Sequence, residues 1–172
     1  MKTEMSSSER SDDRKRFIDA ARYGRLEEVI ELSSKFSNDV EVLSDALRWS
    51  CGRGHLDVVK WLMEHTAADV NNSKVWLYNT PLTAACYNDH LDIVKYLVET
   101  CHADVNLTGY EGNTSLTVAC VNVSMSVSMY LLCEVSDLDV NIADRYGNTA
   151  LHLAVWCSKN SYTQLHKACA RR

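Results

Sequence analysis

One proline and six glycines in 172 residues leave no flexible spacer, so nothing divides the chain into separate modules. The longest apolar runs are too short to span a bilayer. The first 16 residues are polar and charged, with Ser6-Ser7-Ser8 and Asp12-Asp13-Arg14-Lys15-Arg16, and lack the apolar centre of a secretory signal. These absences predict a soluble body without a membrane role, preceded by a short disordered lead over residues 1–12. Basic charge is also in deficit. The 18 Lys and Arg residues lie scattered among 23 Asp and Glu, giving a net charge of −5 and no basic stripe for nucleic acid. Phosphate-binding glycine motifs, Gly-x-x-x-x-Gly-Lys-Ser/Thr or Gly-x-Gly-x-x-Gly, do not occur.

Seven cysteines are an odd count in a chain with no export signal, which favours reduced thiols over a disulfide framework. That places the protein in the cytosol, with the nucleus as the alternative. The Asn-x-Ser/Thr acceptors at Asn71, Asn106, Asn113 and Asn122 are then chance matches.

What the chain has in abundance is repetition. Asp69-Val70-Asn71, Asp104-Val105-Asn106 and Asp139-Val140-Asn141 recur at a constant 35-residue interval. A helical fragment of that size cannot bury its apolar face alone, whereas stacked copies share one continuous core. With 46% hydrophobic residues, a single solenoid over residues 13–172 is the predicted architecture.

The clearest copy begins Thr80-Pro81-Leu82-Thr83-Ala84-Ala85-Cys86 and predicts two short antiparallel helices. Thr80 can cap the first, and Pro81 suits its first position because the ring already holds a helical φ. Leu82, Ala85 and Cys86 share one face at helical spacing. Asp89-His90 breaks the helix. Leu91, Val94, Leu97 and Val98 form the apolar side of the second, with Asp92, Lys95 and Glu99 outside. Thr-Pro-Leu, the paired alanines, His-Leu-Asp-Ile-Val and Ala-Asp-Val-Asn together resemble the ankyrin repeat. Asp144-Arg145-Tyr146-Gly147-Asn148-Thr149-Ala150-Leu151-His152-Leu153-Ala154 resembles the family's opening closely. So do Gly54-His55-Leu56-Asp57-Val58-Val59, Gly112-Asn113-Thr114-Ser115-Leu116 and, more loosely, Ala20 to Val29. The resemblance implies an all-α ankyrin-repeat solenoid of about five repeats, over residues 13–40, 41–75, 76–110, 111–144 and 145–172.

Three segments depart from the pattern. Val123 to Tyr130 replaces the usual Gly-His-Leu turn with a period-two alternation; the 35-residue register still predicts helix there, though the least well packed one. Asn72 to Asn79 lacks the turn glycine that Gly112 and Gly147 supply, which predicts an irregular loop. Ser161-Tyr162-Thr163-Gln164 resembles a capping box opening a last, polar-faced helix to Arg172. The abrupt Arg171-Arg172 end suits the alternative that the chain is cut from a longer protein.

Candidate chemistry is sparse. Cys51/His55 and Cys86/His90 have the i, i+4 spacing of helical metal ligands. The resemblance, however, puts each cysteine in the core and each histidine in a turn, so no metal and no cofactor are expected. Adjacent Cys101 and His102 make a poor nucleophile–base pair. The resemblance implies that His152 bonds its own Thr149, at the position where other copies carry Arg48, Thr83 and Thr117.

A solenoid of this kind presents its hairpin tips and inner helices as one concave surface. Mapping the repeat onto it selects Trp76, Tyr78, Tyr110, Glu111, Arg145 and Tyr146 at tips. On the inner helices it selects Tyr87, Asn88, Val121, Asn122 and Trp156, while Trp49, Trp61, Tyr96 and Tyr130 are assigned to core or groove packing. Aromatics and arginine dominate interface hot spots. The resulting expectation is a monomeric, non-catalytic scaffold binding another protein. The alternative is the targeting portion of a larger signalling enzyme or channel.

Overall fold

The computed structural model describes residues 7–73 and 80–158, with only the backbone described for Ser7, Ser8, Tyr110 and Ser158. Its helices are α1 (Ser7–Arg22), α2 (Leu26–Ser33), α3 (Val40–Arg53), α4 (Leu56–His65), α5 (Pro81–Tyr87), α6 (Leu91–Lys95), α7 (Ser115–Asn122), α8 (Met125–Glu134) and α9 (Ala150–Ser158). No strand occurs among the described residues. None of the described helices is long and apolar enough to cross a membrane. The expected irregular loop at residues 74–79 and the capping box at 161–164 lie outside the described residues. α1 already begins at Ser7, so residues 7–12, expected as part of a disordered lead, are helical. Lys35 on Asp13 (2.6 Å) and Arg10 near Asp39 (3.7 Å) tie that helix to the segment between α2 and α3.

Two layers result. α1, α3, α5, α7 and α9 stack in order as an inner layer, while α2, α4, α6 and α8 stack outside it. Between them Leu43, Leu47, Leu62, Leu82, Ile93, Leu97 and Leu131 are fully buried or nearly so. The helix starts grow out of the sequence. Thr80 Oγ1 accepts from Thr83 N–H (3.2 Å) and Thr114 Oγ1 from Thr117 N–H (3.3 Å), each satisfying an orphan amide of the first turn. The same register position holds Thr149 with His152 (2.9 Å) and, in α3, an Asp45–Arg48 ion pair (3.3 Å). A neutral tie and a charged one thus occupy one site of the repeat.

The recurring Asp-Val-Asn tripeptide is a connector. Within each copy, the aspartate accepts from the asparagine N–H two residues on, at 2.9 Å in all three. Asn71 Oδ1 then accepts from Asp104 N–H (2.9 Å), and Asn106 Oδ1 from Asp139 N–H (2.8 Å), so these two asparagines each reach one repeat ahead.

The turns between inner and outer helices carry positive φ at Gly24 (69°), Gly54 (83°), Asp89 (58°) and Val123 (69°). A Cβ on Gly24 would fall 2.5 Å from the His55 ring, and one on Gly54 would fall 2.7 Å from His90. His55 also hydrogen-bonds Arg22 O through Nε2 (3.1 Å). At the next turn the device changes: the Asp89 carboxylate accepts from Val127 N–H (2.9 Å) and Ser126 N–H (3.4 Å), capping α8 from the preceding repeat. With α8 anchored at its start, Val127 and Leu131 are fully buried.

The outer layer is cross-linked as well. Lys60 lies over the Tyr96 ring (5.6 Å) and Lys95 over the Tyr130 ring (5.3 Å). Glu99 accepts from Tyr130 OH (3.0 Å). Burial, reinforced by Glu99, pushes the Tyr130 phenol up to about 12. Lys95 and Glu99, expected on the outer side of the second helix, both engage Tyr130 of the next repeat.

Candidate functional site

The inner layer and the loops before α7 and α9 enclose a groove of about 840 Å³. α5 contributes Tyr87, α7 Val121 and Asn122, and α9 His152 and Trp156, while Glu111 and Tyr146 come from the loops. Six sequence-selected residues, Tyr87, Glu111, Val121, Asn122, Tyr146 and Trp156, are thereby brought together. Three of them present large rings to solvent: Tyr87 is 53%, Tyr146 65% and Trp156 73% exposed. Aromatic surface at that density costs solvation unless a partner covers it.

The loop positions are fixed from below. Arg145 donates to Glu111 Oε1 (2.8 Å) and to Tyr146 OH, and its guanidinium lies 4.7 Å from the Tyr146 ring centroid. Arg145 N–H also donates to Glu111 O (2.8 Å), joining successive loops through backbone. Asp144 Oδ1 accepts from Tyr146 N–H and Asn148 N–H, both at 2.8 Å, which shapes the turn that carries Tyr146. Desolvation is the largest single influence on that carboxyl and opposes its charge. The Asn148 and Tyr146 donors, with Arg145, nonetheless hold it below the usual carboxylate range.

Other selected residues fare differently. Asn88 commits its side-chain amide to Gly52 O (2.7 Å), a tie between α5 and α3. Tyr110 has only its backbone described, in a turn with Glu111 and Gly112, and Trp76 and Tyr78 lie outside the described residues. Val118, Asn148 and Leu153 also line the groove without having been selected. Register alone could have found them, since Val118 and Leu153 sit at the same helical position, 35 residues apart.

His152 Nδ1 faces Thr149 Oγ1 as the resemblance implied, which makes it a helix-start tie. Cys51 and Cys86 are fully buried, and burial pushes both thiols well up. Burial likewise raises the Cys101 thiol, leaving it unactivated beside His102. Among the described residues no group of three or more His, Cys, Asp or Glu side chains could hold a metal ion.

No curated protein matches the chain. A family model for ankyrin repeats, covering three copies, matches residues 17–109, more than half of the length. That span runs from Phe17 in α1 through α6 and the second Asp-Val-Asn connector, and it establishes that the chain belongs to the ankyrin-repeat family.

Proposed function

We propose that this protein is a non-catalytic scaffold that holds another protein along the face built from its inner helices and loop tips. Ankyrin repeats are in general protein–protein interaction modules. The observation that carries the reading is the convergence of exposed Tyr87, Tyr146 and Trp156 on one groove, with Glu111 and Asn122 to orient a partner's polar groups. The rings stand on helices and on a loop already fixed by Asp144 and Arg145, so little ordering is needed on binding. The protein acts as a monomer in the cytosol or nucleus, a setting that suits the buried thiols of Cys51 and Cys86.

The test is affinity capture with the whole chain as bait. Replacing Tyr87, Tyr146 and Trp156 together by Ser should weaken capture of a bound protein about tenfold or more, while the helical circular-dichroism signal is retained. A Glu31→Gln, Glu134→Gln control on the outer helices should leave capture intact. Capture that survives the triple change but fails with the control would place binding on the outer layer and overturn the reading.

A further inference from the structure

The inner-helix face also holds a second, chemically different cluster at its N-terminal end. Trp49 on α3 is ringed by guanidinium groups: Arg22 lies 4.5 Å, Arg48 4.9 Å and Arg53 6.0 Å from its ring centroid. Arg22 and Arg25 flank the neighbouring Tyr23 at 5.6 and 5.9 Å. Trp49 occupies the register position of Ala84, Val118 and Leu153, and Arg53 that of Asn88 and Asn122. Val118, Leu153 and Asn122 line the groove, so the cluster continues the same face.

Gathering three guanidiniums around one indole costs free energy through like-charge repulsion, which the ring's negative face relieves only in part. Arg48 is answered by Asp45 at 3.3 Å and Arg25 by Glu28 at 2.8 Å. Among the described residues Arg22 and Arg53 have no carboxylate within 4 Å. The buried Nε groups of Arg22 and Arg48 also lack an acceptor. A local positive excess therefore stands on a chain whose net charge is −5. Guanidinium forks match carboxylates in pairs, and arginine clusters are a recurrent means of recognising acidic peptide segments.

We propose that the Arg22–Trp49–Arg53 cluster docks an acidic, extended peptide segment of a partner protein. This rests on the scaffold reading and adds the chemistry of one stretch of the partner. Carboxylates of the segment meet Arg22 and Arg53, and its intervening apolar atoms lie against Trp49 and Tyr23. Asp45, Glu28 and the overall negative charge disfavour a polyphosphate chain over isolated carboxylates.

Fluorescence anisotropy with the full chain at low salt tests this, using a dye-labelled peptide of alternating Glu and Gly beside its Gln–Gly counterpart. The Glu peptide should bind, the Gln peptide at least tenfold more weakly, and added salt should weaken the former. Arg22→Gln with Arg53→Gln should reduce Glu-peptide binding at least tenfold. Lys15→Gln with Lys60→Gln, which removes equal charge elsewhere, should change it less than twofold. Arg53→Gln alone, at an exposed position, should still lower binding severalfold if the double variant folds poorly. Equal binding of the two peptides, equal loss in the lysine control, or tighter binding of an oligothymidylate than of the Glu peptide would overturn the proposal. Capture through the Tyr87/Tyr146/Trp156 groove is read separately and survives any of those results.

Discussion

The first two helix-to-helix turns and the later two reach one backbone shape by different chemistry. At Gly24 and Gly54 a left-handed residue lies directly beneath a histidine ring from the next repeat, and only the absence of a Cβ admits that ring. At Asp89 and Val123 the left-handed shape persists with side chains that resist it. Asp89 gains something in exchange, since its carboxylate caps α8 at a distance of 38 residues. Val123, whose side chain is apolar, can form no bond of that kind and is a β-branched residue held in place by the register of its neighbours. A turn motif can thus vanish from the sequence while the turn remains, provided a different contact couples the repeats.

The largest expected effect lies at the ring-covered turns. Gly54→Ala adds a methyl 2.7 Å from the His90 ring at a φ of 83°. Left-handed strain and overpacking together should cost about 2–5 kcal/mol in urea unfolding. Gly52→Ala, in the last turn of α3, would place its Cβ 3.6 Å from Ala84 Cβ, an ordinary contact. It should be neutral or stabilise by up to about 1 kcal/mol through helix propensity. Similar losses from both changes would mean that the ring contact is not what makes glycine necessary.

At the carboxylate turn a smaller loss is expected. Asp89→Ala leaves the Val127 and Ser126 amides without their acceptor and should cost about 0.5–2 kcal/mol, with α8 amides exchanging faster than those of α4. Unchanged protection of α8 would show that its burial, and not the cap, holds it in place.

Val123→Gly should give the smallest change, and of opposite sign. Relief of left-handed strain of about 1–2 kcal/mol, set against about 0.5–1 kcal/mol of added chain entropy, predicts a stabilisation on the order of 0.5–1 kcal/mol. Destabilisation by more than about 1 kcal/mol would show that the valine side chain, 48% exposed, packs usefully after all.

The architecture was legible because its signals are local and recur. Thr80-Pro81 announces a capped helix, and the 35-residue spacing of Asp-Val-Asn outweighs the alternation of Val123 to Tyr130, where α8 forms as expected. The groove was legible in the same way, since Tyr87, Asn122 and Trp156 fall on the inner helices beyond the core positions. Contacts between repeats were not. No local pattern marks Asp89 as the cap of a helix 38 residues away, or sets Arg22 over Trp49, and the Glu99–Tyr130 bond spans 31 residues. Such pairs depend on how one unit rotates against the next, which composition and period leave undetermined. The helix over residues 7–12 was hidden for the opposite reason: Ser and Asp residues discourage helix locally, yet Lys35, Asp39 and Glu41 supply ionic partners for α1.

The asparagine connectors have a further consequence for how such a chain can change over time. Asn71 and Asn106 each grip a backbone amide of the following unit and ask nothing of that unit's side chains. These two copies therefore carry their own coupling and accept any successor that preserves the spacing, whereas the first rung is held through Ser44 Oγ on Asp69 N–H. A duplicated unit arrives ready to join, and a deleted one leaves matching ends, so the array can lengthen or shorten in whole steps. A single inserted residue between rungs is a different event, because it displaces the amide from its acceptor without supplying another.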